Sequence, residues 1–147
     1  MRRIVIDVCV FAKIFIQEPD REQAIALLKA VADKNIPIVV PQLFFYEIMS
    51  VAKYGNIDVS HVLQVLQTYQ KTNLQLLEPD LNMLKTAIAI TDSGHPKSGY
   101  PSFYDAIYHA MALCLDGMFV TADKRYYEKT KQLGKIALLE NWEQIIV

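Results

Sequence analysis

Apolar residues in this chain recur at two spacings, and the switch between them maps its elements. Short apolar runs stand at residues 3 to 6 (Arg-Ile-Val-Ile), 36 to 40 (Ile-Pro-Ile-Val-Val), 73 to 77, 118 to 121 (Met-Phe-Val-Thr) and 136 to 139. Their length and β-branched content predict buried strands. Between them apolar residues return every three or four positions, the period of an amphipathic helix. Glu18-Pro19-Asp20 opens the first long helix, where Ala24, Leu27, Leu28 and Val31 share a face until Lys34-Asn35. Proline suits that start, because the N–H it lacks would be unpaired there anyway. Pro41 opens a second helix to Tyr54-Gly55-Asn56, Asp58 or Ser60 a third through Tyr69, and Asp80 a fourth through Ile90. Ser102 caps a fifth from Phe103 to Leu115, Asp116-Gly117 stops it, and a last helix begins near Asp123.

Strands that alternate with helices predict an α/β fold with a mostly parallel sheet, since parallel neighbours need crossover connections and these are usually helical. A chain of 147 residues with 52% apolar content is one ordinary domain, spanning 1–147, that buries roughly 70% of its unfolded surface. No repeat or low-complexity tract divides it. The loop Ser93-Gly94-His95-Pro96-Lys97-Ser98-Gly99-Tyr100-Pro101 is rich in turn formers but too short for a linker; it is placed to flank a site.

Cys9 and Cys114 lie in apolar runs without metal-type spacing, which argues against a disulfide framework or zinc and fits a reducing cytoplasm. Asp7 and Lys13 interrupt the apolar start, so it reads as a strand rather than a leader. No run approaches the roughly 18 apolar residues of a membrane span, which predicts a soluble protein. Fifteen basic and 16 acidic residues give a net charge of −1, neutral evidence on nucleic acid, since an acidic site lowers the net charge of its own protein.

Candidate chemistry comes from where acids fall on this map. In parallel α/β sheets ligands bind beyond the carboxyl ends of strands. Asp7 closes the first strand, Asp123 follows the fourth, Glu47 lies in the helix directly after the second, and Asp105 sits in the first turn of the fifth helix. Carboxylates converging there repel one another and raise their pKa values unless a cation intervenes. Oxygen donors without cysteine or paired histidine favour magnesium or manganese over zinc, and such an ion serves phosphodiester hydrolysis.

The local sequences strengthen this. Ile4-Val5-Ile6-Asp7, then Pro41-Gln42-Leu43-Phe44-Phe45-Tyr46-Glu47 with Val51, then Ser102-Phe103-Tyr104-Asp105-Ala106 with Ala110 and Ala112, then Val120-Thr121-Ala122-Asp123 follow one another in an order that resembles the PIN-domain family. Within it the chain is similar to the VapC-like toxins of type II toxin-antitoxin modules, over essentially its whole length. The resemblance implies a three-layer α/β/α sandwich with a central, mostly parallel sheet. It implies a magnesium- or manganese-dependent ribonuclease with Asp7, Glu47, Asp105 and Asp123 as the acidic, metal-holding site, and Thr121 as the polar residue of a Thr-x-Asp motif. An antitoxin partner and a homodimer are implied as well; the high apolar content also suggests a shared interface, around Val62, Leu63, Leu66 and Tyr69. One departure is Cys9, where the family usually has a small polar residue, and a thiol orients water poorly.

Each residue has a structural alternative. Asp7 can cap the turn after its strand, Glu47 can face solvent, Asp105 can complement the helix dipole, and Asp123 can be an N-cap. His109, four residues after Asp105, shares its helical face and is either a supporting donor or packing. Lys124, Arg125, Lys129 and Lys131 are either RNA-phosphate ligands or a solvated face; Tyr100, Phe103 and Tyr104 either stack on bases or pack. Asp116 belongs to its turn. Phosphotransferases of the haloacid-dehalogenase kind need a second aspartate where Cys9 stands, and receiver domains have no counterpart of Pro41 to Glu47. A PIN scaffold that binds RNA or protein without cleavage, and a housekeeping RNA-processing nuclease, are the remaining alternatives.

Overall fold

The computed structural model describes residues 2–146; Met1 and Val147 lie outside them. Elements follow in the order β1 (Ile4–Ile6), α1 (Val8–Ala12), α2 (Arg21–Asp33), β2 (Ile38–Val40), α3 (Gln42–Tyr54), α4 (Val59–Thr72), β3 (Leu74–Leu76), α5 (Leu81–Ile90), α6 (Phe103–Leu115), β4 (Met118–Thr121), α7 (Lys124–Thr130), β5 (Ile136–Leu138) and α8 (Trp142–Ile146). The strands form one sheet, ordered β3-β2-β1-β4-β5, with every pair parallel. β1, β2 and most of β4 are buried, so helices cover the sheet on both faces, as an all-parallel sheet requires. The edge strands β3 and β5 are the more exposed ones.

Strand order reverses between β1 and β4. Such a switch point opens a crevice at the carboxyl ends of the two strands, because the chain leaves them toward opposite sides. The register pairs Ile6 with Val120, which brings the segment after β1 beside the segment after β4.

The expected helices are present, with Asp58, Asp80, Ser102 and Asp123 accepting from backbone N–H groups at their starts. Pro41 offers α3 no side-chain acceptor; Glu78, just past β3, supplies it by accepting the Gln42 N–H at 2.6 Å. The expected strand start at Ile36 does not hold. Asn35 takes a left-handed turn, φ 54°, and the Ile36 N–H returns to the Val31 carbonyl at 2.9 Å, finishing α2 rather than starting β2. At the end of α6, Asp116 and not the glycine holds the left-handed position, φ 53°. Gly117 is needed for proximity: a Cβ there would meet the Arg3 carbonyl oxygen at 3.0 Å.

α1 and α8 are too short for periodicity to reveal. Val62 and Leu66 are buried in the core, and Tyr69 is half-buried against Phe11; the apolar residues that α4 and α5 show to solvent are Val59, Leu63, Leu81 and Ile88. Apolar spacing locates a helix's inner face, so Val62 and Leu66 turn to the core while Leu63 alone of the expected α4 surface residues is exposed.

Candidate active site

Asp7 leaves β1 as the N-cap of α1, its Oδ1 accepting from the Val10 N–H at 3.2 Å. Its Oδ2 accepts from the Thr121 hydroxyl at 2.8 Å. Thr121, fully buried at the end of β4, uses the same Oγ1 to accept the Asp123 N–H at 3.0 Å. One threonine therefore ties the ends of both central strands together and fixes two acids relative to each other. Asp123 in turn accepts the Tyr126 N–H at 3.0 Å, as N-cap of α7.

The other two acids arrive on helices. Ser102 accepts the Asp105 N–H at 3.1 Å, setting the first turn of α6. Glu47, half-buried on α3, accepts from the Tyr108 hydroxyl at 2.5 Å. Tyr108 is itself buried and stacked on Phe119 of β4, ring centroids 6.1 Å apart, so a rigid donor from α6 holds the glutamate of α3.

Electrostatics joins the four. Asp7 is pushed up to about 6, by burial first, against the pull of its Thr121 and Val10 hydrogen bonds and with the negative charges of Asp105 and Asp123 adding to the rise. Burial and the charge of Asp105 raise Glu47, against its Tyr108 hydrogen bond. Asp105 is raised by burial and by Asp123, while Ser102 and the Lys129 ammonium oppose the rise. Asp105 is thus the common neighbour of the other three. Hydrogen bonds through Thr121 tie Asp7 to Asp123, and the charge of Asp105 links it to Asp7, Glu47 and Asp123.

Among the described residues no three histidine, cysteine, aspartate or glutamate side chains converge tightly enough to enclose an ion by themselves. The donor set is nevertheless of one chemical kind. It consists of carboxylate oxygens, of which those of Asp7, Glu47 and Asp105 are raised chiefly by burial, and such a set suits a hard ion that keeps much of its water and takes few protein ligands, as magnesium does. Cys9 stands at the surface beside them; partial burial and the charge of Asp7 push its thiol up to about 12, so it stays neutral and adds no anionic ligand.

His109 is structural. Its Nε2 lies 2.8 Å from the Gly134 carbonyl, an acceptor, and so carries the proton; its Nδ1, 3.0 Å from Tyr126, accepts that hydroxyl. Burial lowers its pKa. It reaches Asp123 only through Tyr126. Asp116, exposed, pairs with Lys135 at 2.7 Å on a remote turn. Sequence reasoning missed Tyr108, although it lies three residues after Asp105 and hence on the same helical side. It also missed the buried Lys13 ammonium, which pairs with Glu18 at 3.0 Å and Asp20 at 2.9 Å and fastens the turn into α2.

Residues 4–132 match the family model described as PIN domain. No curated protein matches the chain. Among solved structures, one chain of a toxin-antitoxin complex from Klebsiella pneumoniae is similar, with 14% identity and a TM-score of 0.64 over 92% of this chain and 97% of that one. A protein of Pyrobaculum aerophilum is similar at 18% identity and a TM-score of 0.63, covering 98% of this chain and 95% of that one. At these identities the likeness is one of fold, and it extends past residue 132 to include β5. With the family model spanning nearly all of the sheet and both ends of the acidic cluster, the chain belongs to the PIN domain family.

Proposed function

We propose that the chain is a magnesium- or manganese-dependent ribonuclease and the toxin of a type II toxin-antitoxin module. The observation that carries this is the convergence of Asp7, Glu47, Asp105 and Asp123 at the β1/β4 switch point, where burial and mutual repulsion raise the pKa values of three of them. A bound divalent ion supplies charge neutralisation and an acidified water for phosphodiester hydrolysis. The four carboxylates would hold it, while Thr121 orients Asp7 and Asp123 and Tyr108 fixes Glu47. Membership of the PIN family supports a nuclease in general, and the fold shared with a toxin-antitoxin complex supports an antitoxin as partner. A homodimer through α4 and α5 and a cytoplasmic location complete the proposal; among the described residues no helix is long and apolar enough to cross a membrane.

Purified protein with a labelled RNA, in manganese, magnesium or chelator, tests the chemistry. Metal-dependent cleavage that Asp7→Asn abolishes supports the assignment; cleavage indifferent to both metal and Asp7 removes it. Induced expression tests the toxin role: growth arrest relieved by Asp7→Asn is expected, whereas normal growth with active soluble protein points to a housekeeping nuclease.

A further inference from the structure

Beside the acidic cluster lies an open cleft of about 810 Å³ between α7 and the loop before α6. Its walls carry Lys97, Lys124, Arg125 and Lys129 against a single carboxylate, Glu128. That carboxylate is taken by Lys131, at 2.8 Å, while none of the four cations stands within ion-pair distance of an acid among the described residues. In a protein of net charge −1, four unpaired cations on one cleft form a local anion receptor rather than a balanced solvated face.

The loop is built to present its cation. His95 and Gly99 exchange backbone hydrogen bonds of 3.3 and 2.7 Å, and the Lys97 N–H donates to His95 Nδ1 at 3.1 Å. Gly94, with φ 120°, has no room for a side chain: a Cβ would lie 2.3 Å from the Gly99 carbonyl oxygen. Lys97 therefore sits at the tip of a closed hairpin. Lys129 reaches back to this hairpin, its ammonium 3.6 Å from where a Gly99 Cβ would be, and its charge also acts on Asp105. The basic cleft and the acidic cluster are contiguous through Lys129. Tyr100 and Tyr104, 52% and 61% exposed, follow Gly99 of the hairpin and precede Asp105 in the chain, and exposed rings of this kind can stack on unpaired bases.

We propose that this cleft binds the phosphate backbone of single-stranded RNA and leads it into the acidic cluster, a proposal that rests on the ribonuclease reading above. The probe is a short fluorescent single-stranded oligoribonucleotide, titrated in chelator, where metal-dependent cleavage is off, and read by anisotropy. With four phosphate contacts, log affinity falls against log salt with a slope of about −2.8, and Lys97→Glu with Arg125→Glu should bring it to about −1.4. The double variant is expected to bind at least about 30-fold more weakly at low salt, whereas Lys53→Glu, on another face, leaves binding unchanged.

Unchanged binding or an unchanged slope in the double variant overturns the proposal. So does a poly-glutamate peptide that competes as strongly as RNA, which would make the cleft a dock for an acidic protein segment. Wild type that binds the probe but never cleaves RNA with manganese defeats the ribonuclease reading and leaves the cleft standing. Wild type that cleaves, with binding untouched in the double variant, defeats the cleft alone.

Discussion

Asp7 is the residue at which stability and proposed function conflict. Its pKa rises on folding from 3.8 to about 6, so the folded state holds the proton more tightly than the unfolded chain does. Stability from this group is therefore greatest below 3.8 and declines as pH rises to about 6, a loss of roughly 3 kcal/mol at neutral pH. Asp7→Asn removes the charge while an amide can still accept from Val10 and donate to Thr121. We expect the metal-free variant to melt no lower than wild type at pH 7, the difference vanishing below pH 4, in thermal scans at both pH values. Manganese should raise the melting temperature of wild type and not of the variant, because a ligand that binds only the folded state stabilises it by mass action. Tyr108→Phe keeps the ring stacked on Phe119 but removes the donor that stabilises the Glu47 carboxylate. The acidic limb of the cleavage pH profile should then move to higher pH with little change in urea stability; a stationary profile would reduce Tyr108 to packing.

Helix ends, more than helix middles, place the site. Asp7, Ser102 and Asp123 each cap a helix that leaves the carboxyl edge of the sheet, so the same short polar side chains that start the helices define the crevice. α7 depends on a further clasp, in which His109 of α6 receives the Tyr126 hydroxyl and donates to Gly134. His109→Phe leaves both partners unsatisfied and should cost about 2 kcal/mol in urea titrations, with faster amide exchange in residues 124–134. The pH dependence has the opposite sign to that of Asp7. Burial lowers the His109 pKa below 6.5, so its contribution is intact above 6.5 and is lost as pH falls through that value, when the unfolded chain takes up the proton first. The variant should lack this loss. Equal acid sensitivity in the variant and wild type would contradict the assignment.

At the scale of the whole molecule, charge is sorted although the total is close to zero. Carboxylates gather at the switch point, unpaired cations gather beside them, and the remaining apolar exposure falls partly on α4 and α5. Leu81 and Ile88, 78% and 58% exposed, stand there with Leu63. The proposed homodimer places these residues at its interface, since large apolar side chains left exposed mark contact sites. Light scattering at micromolar concentration should give twice the chain mass for wild type and a monomer for Leu63→Glu with Leu81→Glu. A monomeric wild type, or a double variant still dimeric, would reject that surface.

The sequence alone determined the five strands, the longer helices and their parallel arrangement, because an apolar run and a helical stripe are local patterns that an alternating chain buries in one way; α1 and α8 are too short to leave such a pattern. It also singled out the four acids and Thr121, through residues adjacent to strand ends and through the family's motifs. Asp7, lying directly after Ile4-Val5-Ile6, is legible in this way. Only the tertiary structure decided what those residues meet. That Thr121 bridges Asp7 and Asp123 follows from the β1/β4 pairing of segments more than a hundred residues apart. That Tyr108 holds Glu47, that His109 serves α7, and that Glu128 pairs with Lys131 while, among the described residues, Lys124, Arg125 and Lys129 pair with no acid depend on the side to which each helix turns its polar residues. Periodicity reports which face of a helix is apolar; it carries no information about the polar partner on another element, which is fixed by packing at distance.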